Sequence, residues 1–268
     1  MTGRLANTRI AARRRALGCL SAFACALAAA ACGGSGASGA STESAAEESR
    51  PVTRTVVAVV DFSASQTSHA VGEARHYLEK VVGGLDYGDR LVLLEMYRSG
   101  SRDSVGSFVQ DLPTPVRPGA VTSYDRRELD AARRGVLNAL PIFFDPRFVR
   151  SVPTTDLFTT LHIAGEHLRD ARDQERELLI LSDMLQSTPA FEFEGARRMP
   201  PDTWVESQET QDRLPSLDGA CVVVIGADPT TAHGQRVRRF WSEYFAATGA
   251  ALDAGNYRLR PPTDVVAC

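Results

Sequence analysis

A run of β-branched and small apolar residues, VVAVVDFSAS at positions 56–65, constrains the fold more than any other stretch of the chain. Its apolar part shows no polar alternation, which is typical of a parallel strand covered by helices on both faces. Asp61 ends the apolar run, and Ser63 and Ser65 follow at alternate positions. Open α/β sheets place their ligand sites at the carboxyl ends of such strands. The run therefore predicts a central strand with polar side chains at the edge where a ligand binds.

The rest of the chain alternates between apolar runs and segments whose apolar residues recur at helical spacing. This alternation predicts an α/β fold, a doubly wound and mostly parallel sheet with helices on both faces. A segment that alternates more strongly and closes at a proline, 104–112, predicts an edge strand. Strands are expected at 56–60, 89–96, 104–112, 178–182, 220–227 and 251–260, helices at 70–82, 128–140, 156–171 and 234–247, a loop at 141–155, and a long polar insertion at 186–218.

Three separate segments carry oxygen donors at comparable places in these elements. Asp61, Ser63 and Ser65 follow the first strand, Asp183 ends the strand at 178–182, and Thr155 stands at the start of the helix between them. Parallel strands end at the same edge of a sheet, so the spacing predicts that these side chains converge. An alternative interpretation is that the two aspartates cap helices and the serines are ordinary turn residues.

The three segments resemble the metal-ion-dependent adhesion site of von Willebrand factor type A domains. That family carries D-x-S-x-S after its first strand, a threonine before a helix, and an aspartate at the end of its fourth strand. Thr155 is followed at the family's spacing by Thr160 and Leu161. Met184 stands where the family usually has the glycine after its aspartate, here Asp183, and this departure puts the geometry of the loop in question.

The resemblance implies the strand order 3-2-1-4-5-6, in which the strands that bear Asp61 and Asp183 are neighbours. Two carboxylates at the ends of neighbouring strands repel each other, so the site favours a cation. Oxygen ligands without His or Cys favour Mg²⁺, with Mn²⁺ or Ca²⁺ as alternatives. In the family, the open coordination position holds the partner's carboxylate. The resemblance thus implies a protein partner that presents an acidic side chain.

The first 51 residues predict export rather than a folded domain. Five arginines, an uncharged stretch at 16–31 and then Cys32 resemble a bacterial lipoprotein signal, in which Cys32 becomes the lipidated first residue. An ordinary signal peptide and an uncleaved anchor helix are the alternatives. Residues 32–51, poor in large apolar side chains, predict a disordered tether. The expected organisation is a signal at 1–31, a tether at 32–51 and one domain at 52–268 in the cell envelope.

Charge and cysteine usage limit the partners and the chemistry. Removal of the five leader arginines leaves 25 basic against 33 acidic residues, which argues against nucleic acid as a partner. Beyond Cys32 only Cys221 and Cys268 remain. In an exported domain they either form a disulfide that ties down the carboxyl terminus or stay as a buried thiol and a loose end.

No catalytic residue is predicted. The phosphate-binding and dinucleotide-binding glycine motifs are absent, and an aspartyl phosphatase would need an acid where Ser63 stands. His162 and His167 are five residues apart rather than the four of a zinc-peptidase helix. The sequence therefore favours a binding protein over an enzyme. The remaining alternative is a metal-free scaffold that keeps the fold and holds its partners through the long loops.

Overall fold

The computed structural model describes residues 53–63, 65–96, 106–117, 119–145, 154–171, 174–194 and 198–266. The chain divides into two units, Met1–Ala46 and Glu47–Cys268, and the described residues belong to the second. The predicted signal at 1–31, the lipidation site Cys32 and the tether at 32–51 lie outside the described residues. No helix within the described ranges has the length and hydropathy needed to cross a bilayer.

The sheet has the predicted strand order. Its six strands follow the order β3-β2-β1-β4-β5-β6, and every pairing is parallel except the antiparallel pair of β2 with the edge strand β3. The doubly wound α/β fold predicted from the sequence is therefore confirmed. The strands are β1 (Arg54–Val60), β2 (Arg90–Glu95), β3 (Ser107–Asp111), β4 (Glu175–Leu181), β5 (Ala220–Ile225) and β6 (Tyr257–Arg258).

Helices cover both faces of this sheet, as the unbroken apolar strands predict. Along β1, Val56, Ala58 and Val60 pack into one core cluster with α1 and α2, whereas Val57 and Val59 pack into the other with α3, α4 and α5. This division follows from the two-residue side-chain period of a strand. The helices are α1 (Ser68–Gly83), α2 (Ser123–Phe143), α3 (Leu157–Arg169), α4 (Trp204–Thr210) and α5 (Ala232–Ala247).

Helix α2 extends beyond its predicted bounds at both ends. It begins after Thr122, whose side chain forms a reciprocal capping box with Asp125, and it continues through Pro141 to Phe143. The prediction of a loop from residue 141 is therefore wrong for the first turn. A proline near the end of a helix removes only one backbone hydrogen bond. The extra turn carries Phe143 and Phe144 into contact with Phe62.

The 186–218 insertion has a polar composition, yet it packs apolar side chains into the core. Phe193 and Leu217 are fully buried, and the insertion contains α4. Its aromatic side chains join those of α3 and α5 in what we call the aromatic cluster, on the face opposite α1 and α2. The aromatic cluster consists of Phe158, Phe191, Phe193, Trp204, Phe240, Trp241, Tyr244 and Phe245.

The last strand is shorter than the predicted 251–260. Ala251 makes an isolated parallel bridge to Cys221, a 3₁₀ turn follows at Ala254–Asn256, and only Tyr257 and Arg258 form a continuous pairing with β5. The chain therefore reaches the sheet twice with a turn between, which a hydrophobic pattern alone does not reveal.

Candidate functional site

The two predicted strand-end aspartates lie at the same edge of the sheet. β1 and β4 are parallel neighbours, with Val60 opposite Leu181, and the Asp61 backbone N–H donates to the Leu181 carbonyl at 3.0 Å. Asp61 and Asp183 follow these strands at their carboxyl ends. The crossovers that leave the two strands go to opposite faces of the sheet, which opens a crevice at this point.

The D-x-S-x-S turn is folded around Asp61. The Ser63 backbone N–H donates to Asp61 Oδ1 at 2.8 Å, and the hydroxyls of Ser63 and Ser65 lie 2.9 Å apart. Phe62, between Asp61 and Ser63 in sequence, is buried against Phe143 and Phe144 at ring-centroid distances of 5.8 and 5.3 Å. Burial of this ring on the α2 side anchors the turn that carries the donors.

Asp61 is a buried carboxyl group, with 3% of its surface exposed. Burial raises its pKa above the ordinary value, while hydrogen bonds from Ser63 and Ser182 act in the opposite direction. The Ser182 hydroxyl donates to Asp61 Oδ2 at 2.7 Å. Sequence reasoning did not single out Ser182, although its place beside Asp183 at the end of β4 was a usable signal. The hydrogen bond from Ser182 orients the Asp61 carboxylate, so that its second oxygen, Oδ1, faces the D-x-S-x-S turn.

Asp183 completes the carboxylate pair. Burial, followed by the negative charge of Asp61, raises its pKa to about 6, while hydrogen bonds from the Leu185 backbone and the Ser65 side chain lower it. The Leu185 N–H donates to Asp183 Oδ1 at 2.9 Å. Glu194, in the insertion, adds a further negative charge that raises this pKa. The structure thus brings Asp61, Ser63, Ser65 and Asp183 together. The carboxylates of Asp61 and Asp183 repel each other when both are ionised.

Thr155 is held at the start of α3 by the insertion. It is buried, and its backbone exchanges two hydrogen bonds of 2.9 Å with Ser187, four residues after Asp183. The next residue, Asp156, caps α3 by accepting from the Thr159 N–H at 3.2 Å. The Gln186 side chain ties the two segments further by accepting from the Leu157 N–H at 2.7 Å. These bonds couple Thr155 to the loop after Asp183, and its role as a metal ligand stays a prediction.

Met184 shows how the loop after Asp183 keeps its turn without a glycine. Its φ angle is 64°, in the left-handed region that favours glycine, so the turn is kept without one. That conformation costs a side-chain-bearing residue about 1–2 kcal/mol. Full burial of the Met184 side chain, worth about 1.5–3 kcal/mol, offsets this cost. The Trp241 indole N–H also donates to the Met184 carbonyl at 2.9 Å, which fixes the loop against α5.

The donor set fits a hard divalent cation. Among the described residues, no three His, Cys, Asp or Glu side chains form a cluster able to hold a metal, so the site depends on hydroxyls as well as carboxylates. Oxygen donors alone, two of them carboxylates, suit Mg²⁺, Mn²⁺ or Ca²⁺ better than the softer zinc. Burial raises the pKa of both Asp61 and Asp183, and the negative charge of Asp61 raises that of Asp183 further, so the doubly ionised pair is unfavourable by itself. A cation would supply a neutralising positive charge.

The raised pKa of Asp183 predicts how the metal-free protein responds to pH. Because the folded state holds this proton more tightly than the unfolded state, stability should fall as pH rises from about 4 to about 6 and level off above. Asp183→Asn removes the repulsion, so it should stabilise the metal-free protein at pH 7, by at most about 3 kcal/mol. Urea unfolding in EDTA across this pH range measures the effect.

Asp228→Asn is the matched control for this experiment. The Thr230 hydroxyl lowers the pKa of Asp228, so its replacement should destabilise the protein at pH 7, the opposite sign. Parallel pH curves for wild type and Asp183→Asn would contradict the expectation.

Comparisons with known proteins give distant likenesses. No family model and no curated protein matches the sequence. An aerotolerance-related membrane protein from Bacteroides fragilis is 13% identical with a TM-score of 0.41, covering 79% of this chain and 92% of that one. A von Willebrand factor type A structure from Catenulispora acidiphila is 13% identical with a TM-score of 0.37, covering 78% and 39%.

A third solved structure is proximal thread matrix protein 1 from the mussel byssus, with a zinc-occupied adhesion motif. It is 10% identical with a TM-score of 0.37, and the match covers 75% of this chain and 44% of that one. The chain thus spans less than half the length of the last two proteins. We transfer no function from likenesses at this level.

Proposed function

We propose that the chain is an exported binding protein of the von Willebrand factor type A kind, which holds a protein partner through a divalent cation. The observation that supports it is the convergence of Asp61, Ser63, Ser65 and Asp183 at the carboxyl edge between two neighbouring parallel strands. This is where an open α/β sheet binds its ligand. The strand order is the one that the resemblance implies.

In this proposal the two aspartates and the hydroxyls of Ser63, Ser65 and Thr155 hold Mg²⁺, or Mn²⁺ or Ca²⁺, directly or through water. The cation neutralises the carboxylate pair and attracts one oxygen from outside. Because the remaining donors are neutral hydroxyls, the site adds no third negative charge that would repel that oxygen. An Asp or Glu side chain of a partner protein is the matching ligand.

The proposed location is the cell envelope. Cys32 would carry the lipid after removal of the signal at 1–31, and residues 32–51 would hold the domain away from the membrane. The 25 basic and 33 acidic residues left after cleavage support a partner other than nucleic acid. We expect binding without catalysis, because the sequence lacks the phosphate-binding and dinucleotide-binding glycine motifs and the four-residue histidine spacing of a zinc peptidase.

A metal-free scaffold is the second candidate. The observation that favours it is the structured insertion, whose Phe193 is fully buried and whose backbone pairs with Thr155 beside the site. Such a rigid element could hold a partner without any cation. The two candidates give opposite results in one measurement.

Divalent cations should raise the thermal midpoint of the purified full chain. A ligand at a hundred times its dissociation constant stabilises the folded state by about 2.7 kcal/mol, a rise of several degrees for a domain of this size. Asp61→Ala should abolish the response to Mg²⁺, Mn²⁺ and Ca²⁺, because it removes the central carboxylate. Differential scanning calorimetry after EDTA treatment and cation addition checks this.

Asp202→Ala, which removes an exposed carboxylate from the insertion, should keep the full response. If wild type does not respond to millimolar concentrations of any of the three cations, the cation-dependent function is wrong and the scaffold takes its place.

A further inference from the structure

The two faces of the sheet are covered unequally. Within the described ranges, three helices pack on the face that bears the aromatic cluster, and two, α1 and α2, on the other. On that second face, β5 still presents Val223 and Ile225, which are 0% and 4% exposed. The carboxyl-terminal residues Val265 and Val266 pack against the same core cluster. Part of this face is therefore covered by the chain end.

This chain end, residues 259–266, is here called the C-terminal strap. Two hydrogen bonds hold it to α1: Lys80 Nζ donates to the Thr263 carbonyl at 3.0 Å, and the Val266 N–H donates to the Tyr77 hydroxyl at 3.1 Å. Tyr77 is itself 2% exposed. The strap thus has a defined path along α1, although it contains no helix or strand.

The strap also lies beside Asp61 of the candidate metal site. Leu259 and Pro261 line a cavity of about 20 Å³ together with Asp61, Gln66 and Ser182. A cavity of that size holds about one water molecule. Movement of the strap would widen this cavity beside Asp61.

Cys221 lies on the face that the strap covers. Along β5, Val223 and Ile225 point to the α1 and α2 side, and Cys221 shares their side because side chains alternate along a strand. Cys221 is disulfide-bonded, and its partner lies outside the described residues. Of the other cysteines, Cys268 follows the anchored Val266 by two residues, whereas the remaining three precede residue 33.

We propose that Cys221 and Cys268 form a disulfide that pins the C-terminal strap over β5 and so keeps the apolar side chains of this face covered. The cross-link joins the start of β5 to the last residue of the chain, so it closes a long loop and restricts the unfolded state. An exported protein meets the oxidising conditions in which such a bond persists.

Reduction would release the strap. A dithiol of the thiol–disulfide exchange class passes two electrons and two protons to the bond, leaves as its own cyclic disulfide, and yields two free thiols. The strap then loses its covalent attachment to β5 and keeps two hydrogen bonds to α1, so it should open and expose Val223, Ile225 and the cavity beside Asp61. The state of this bond therefore determines how much apolar surface the domain shows.

Peptide mapping without reductant tests the pairing. Trypsin should release residues 214–236, which contain Cys221, joined to residues 259–268, and reduction should separate the two peptides. Cys221 joined to a peptide from the first 32 residues, or recovered as a free thiol, would overturn the proposal.

Thermal unfolding and proteolysis test the role of the strap. Reduction should lower the thermal midpoint by about 5–15 °C and speed trypsin cleavage after Arg258 at least about tenfold. Cys268→Ser alters only the last residue and should behave as reduced wild type, with no further response to dithiothreitol. Cys221→Ser should match it. Unchanged midpoints and cleavage rates in reduced wild type and Cys268→Ser would refute the pinned strap. No cation is needed, so this result is independent of the proposed metal site.

Discussion

Replacement of Trp241 by alanine should destabilise the protein by about 3–5 kcal/mol. Trp241 is fully buried at the centre of the aromatic cluster, with ring-centroid distances of 5.2 Å to Phe240 and 5.3 Å to Phe158. The substitution leaves a large cavity and removes the indole N–H that donates to the Met184 carbonyl. Urea unfolding followed by far-ultraviolet circular dichroism measures the loss without relying on tryptophan fluorescence.

Two variants separate the causes of this loss. Trp241→Phe keeps an aromatic ring but removes the hydrogen bond, so it should cost less than Trp241→Ala and still loosen the loop after Asp183. Trp204→Ala removes the same side chain from a partly buried position in the aromatic cluster and should cost clearly less. Equal costs for Trp241→Ala and Trp204→Ala would show that the insertion does not pack as described.

Replacement of Arg54 by alanine should cost about 3–5 kcal/mol, because it leaves two buried carboxylates without their cation. Arg54 Nε lies 3.1 Å from Asp89 Oδ2, and Nη1 lies 3.7 Å from Glu177 Oε2. The side chains of Asp89 and Glu177 are 4% and 7% exposed. Arg54 also donates to the Gly84 carbonyl at 2.7 Å, which ties β1 to the end of α1.

The loss should depend on pH. Burial raises the pKa of Glu177, and the positive charge of Arg54 opposes that rise. Without Arg54 the folded-state pKa of Glu177 should rise further, so the deficit should shrink as pH falls from 7 toward 5 and Glu177 takes up a proton. Urea midpoints at several pH values provide the measurement.

Arg90→Ala is the matched control. Arg90 Nε lies 2.6 Å from Asp111 Oδ1, a shorter distance than in the buried pair, yet the two side chains are 37% and 65% exposed. An exposed ion pair contributes at most about 1 kcal/mol, so this variant should remain close to wild type. If Arg54→Ala costs no more than Arg90→Ala, the buried charges are not held as we describe.

Much of the fold was predictable because burial follows local periodicity. The helical spacing of Val237, Phe240, Trp241, Tyr244 and Phe245 predicts the buried face of α5, and all five are buried. The unbroken apolar run predicts the fully covered β1. The continuation of α2 through Pro141 was missed, since packing of Phe143 and Phe144 on Phe62 outweighs the local preference of proline to end a helix.

The candidate site was predictable in part for the same reason. A strand-end position follows from the apolar run before it, so Asp61 and Asp183 could be placed at one edge of the sheet. The Ser182 hydroxyl on Asp61 and the charge of Glu194 near Asp183 could not, because they depend on side-chain directions in the loops beyond the strands.

The amino-acid order alone determined the alternation of strands and helices, their buried faces and the donor residues that follow β1 and β4, because each is written in the spacing of neighbouring residues. Only the tertiary structure decided the left-handed turn at Met184, the packing of the insertion on α5 and the ion pairs of Arg54 with Asp89 and Glu177. These features join segments far apart in the chain, and their free energy comes from burial and charge pairing that exist only once the sheet has formed.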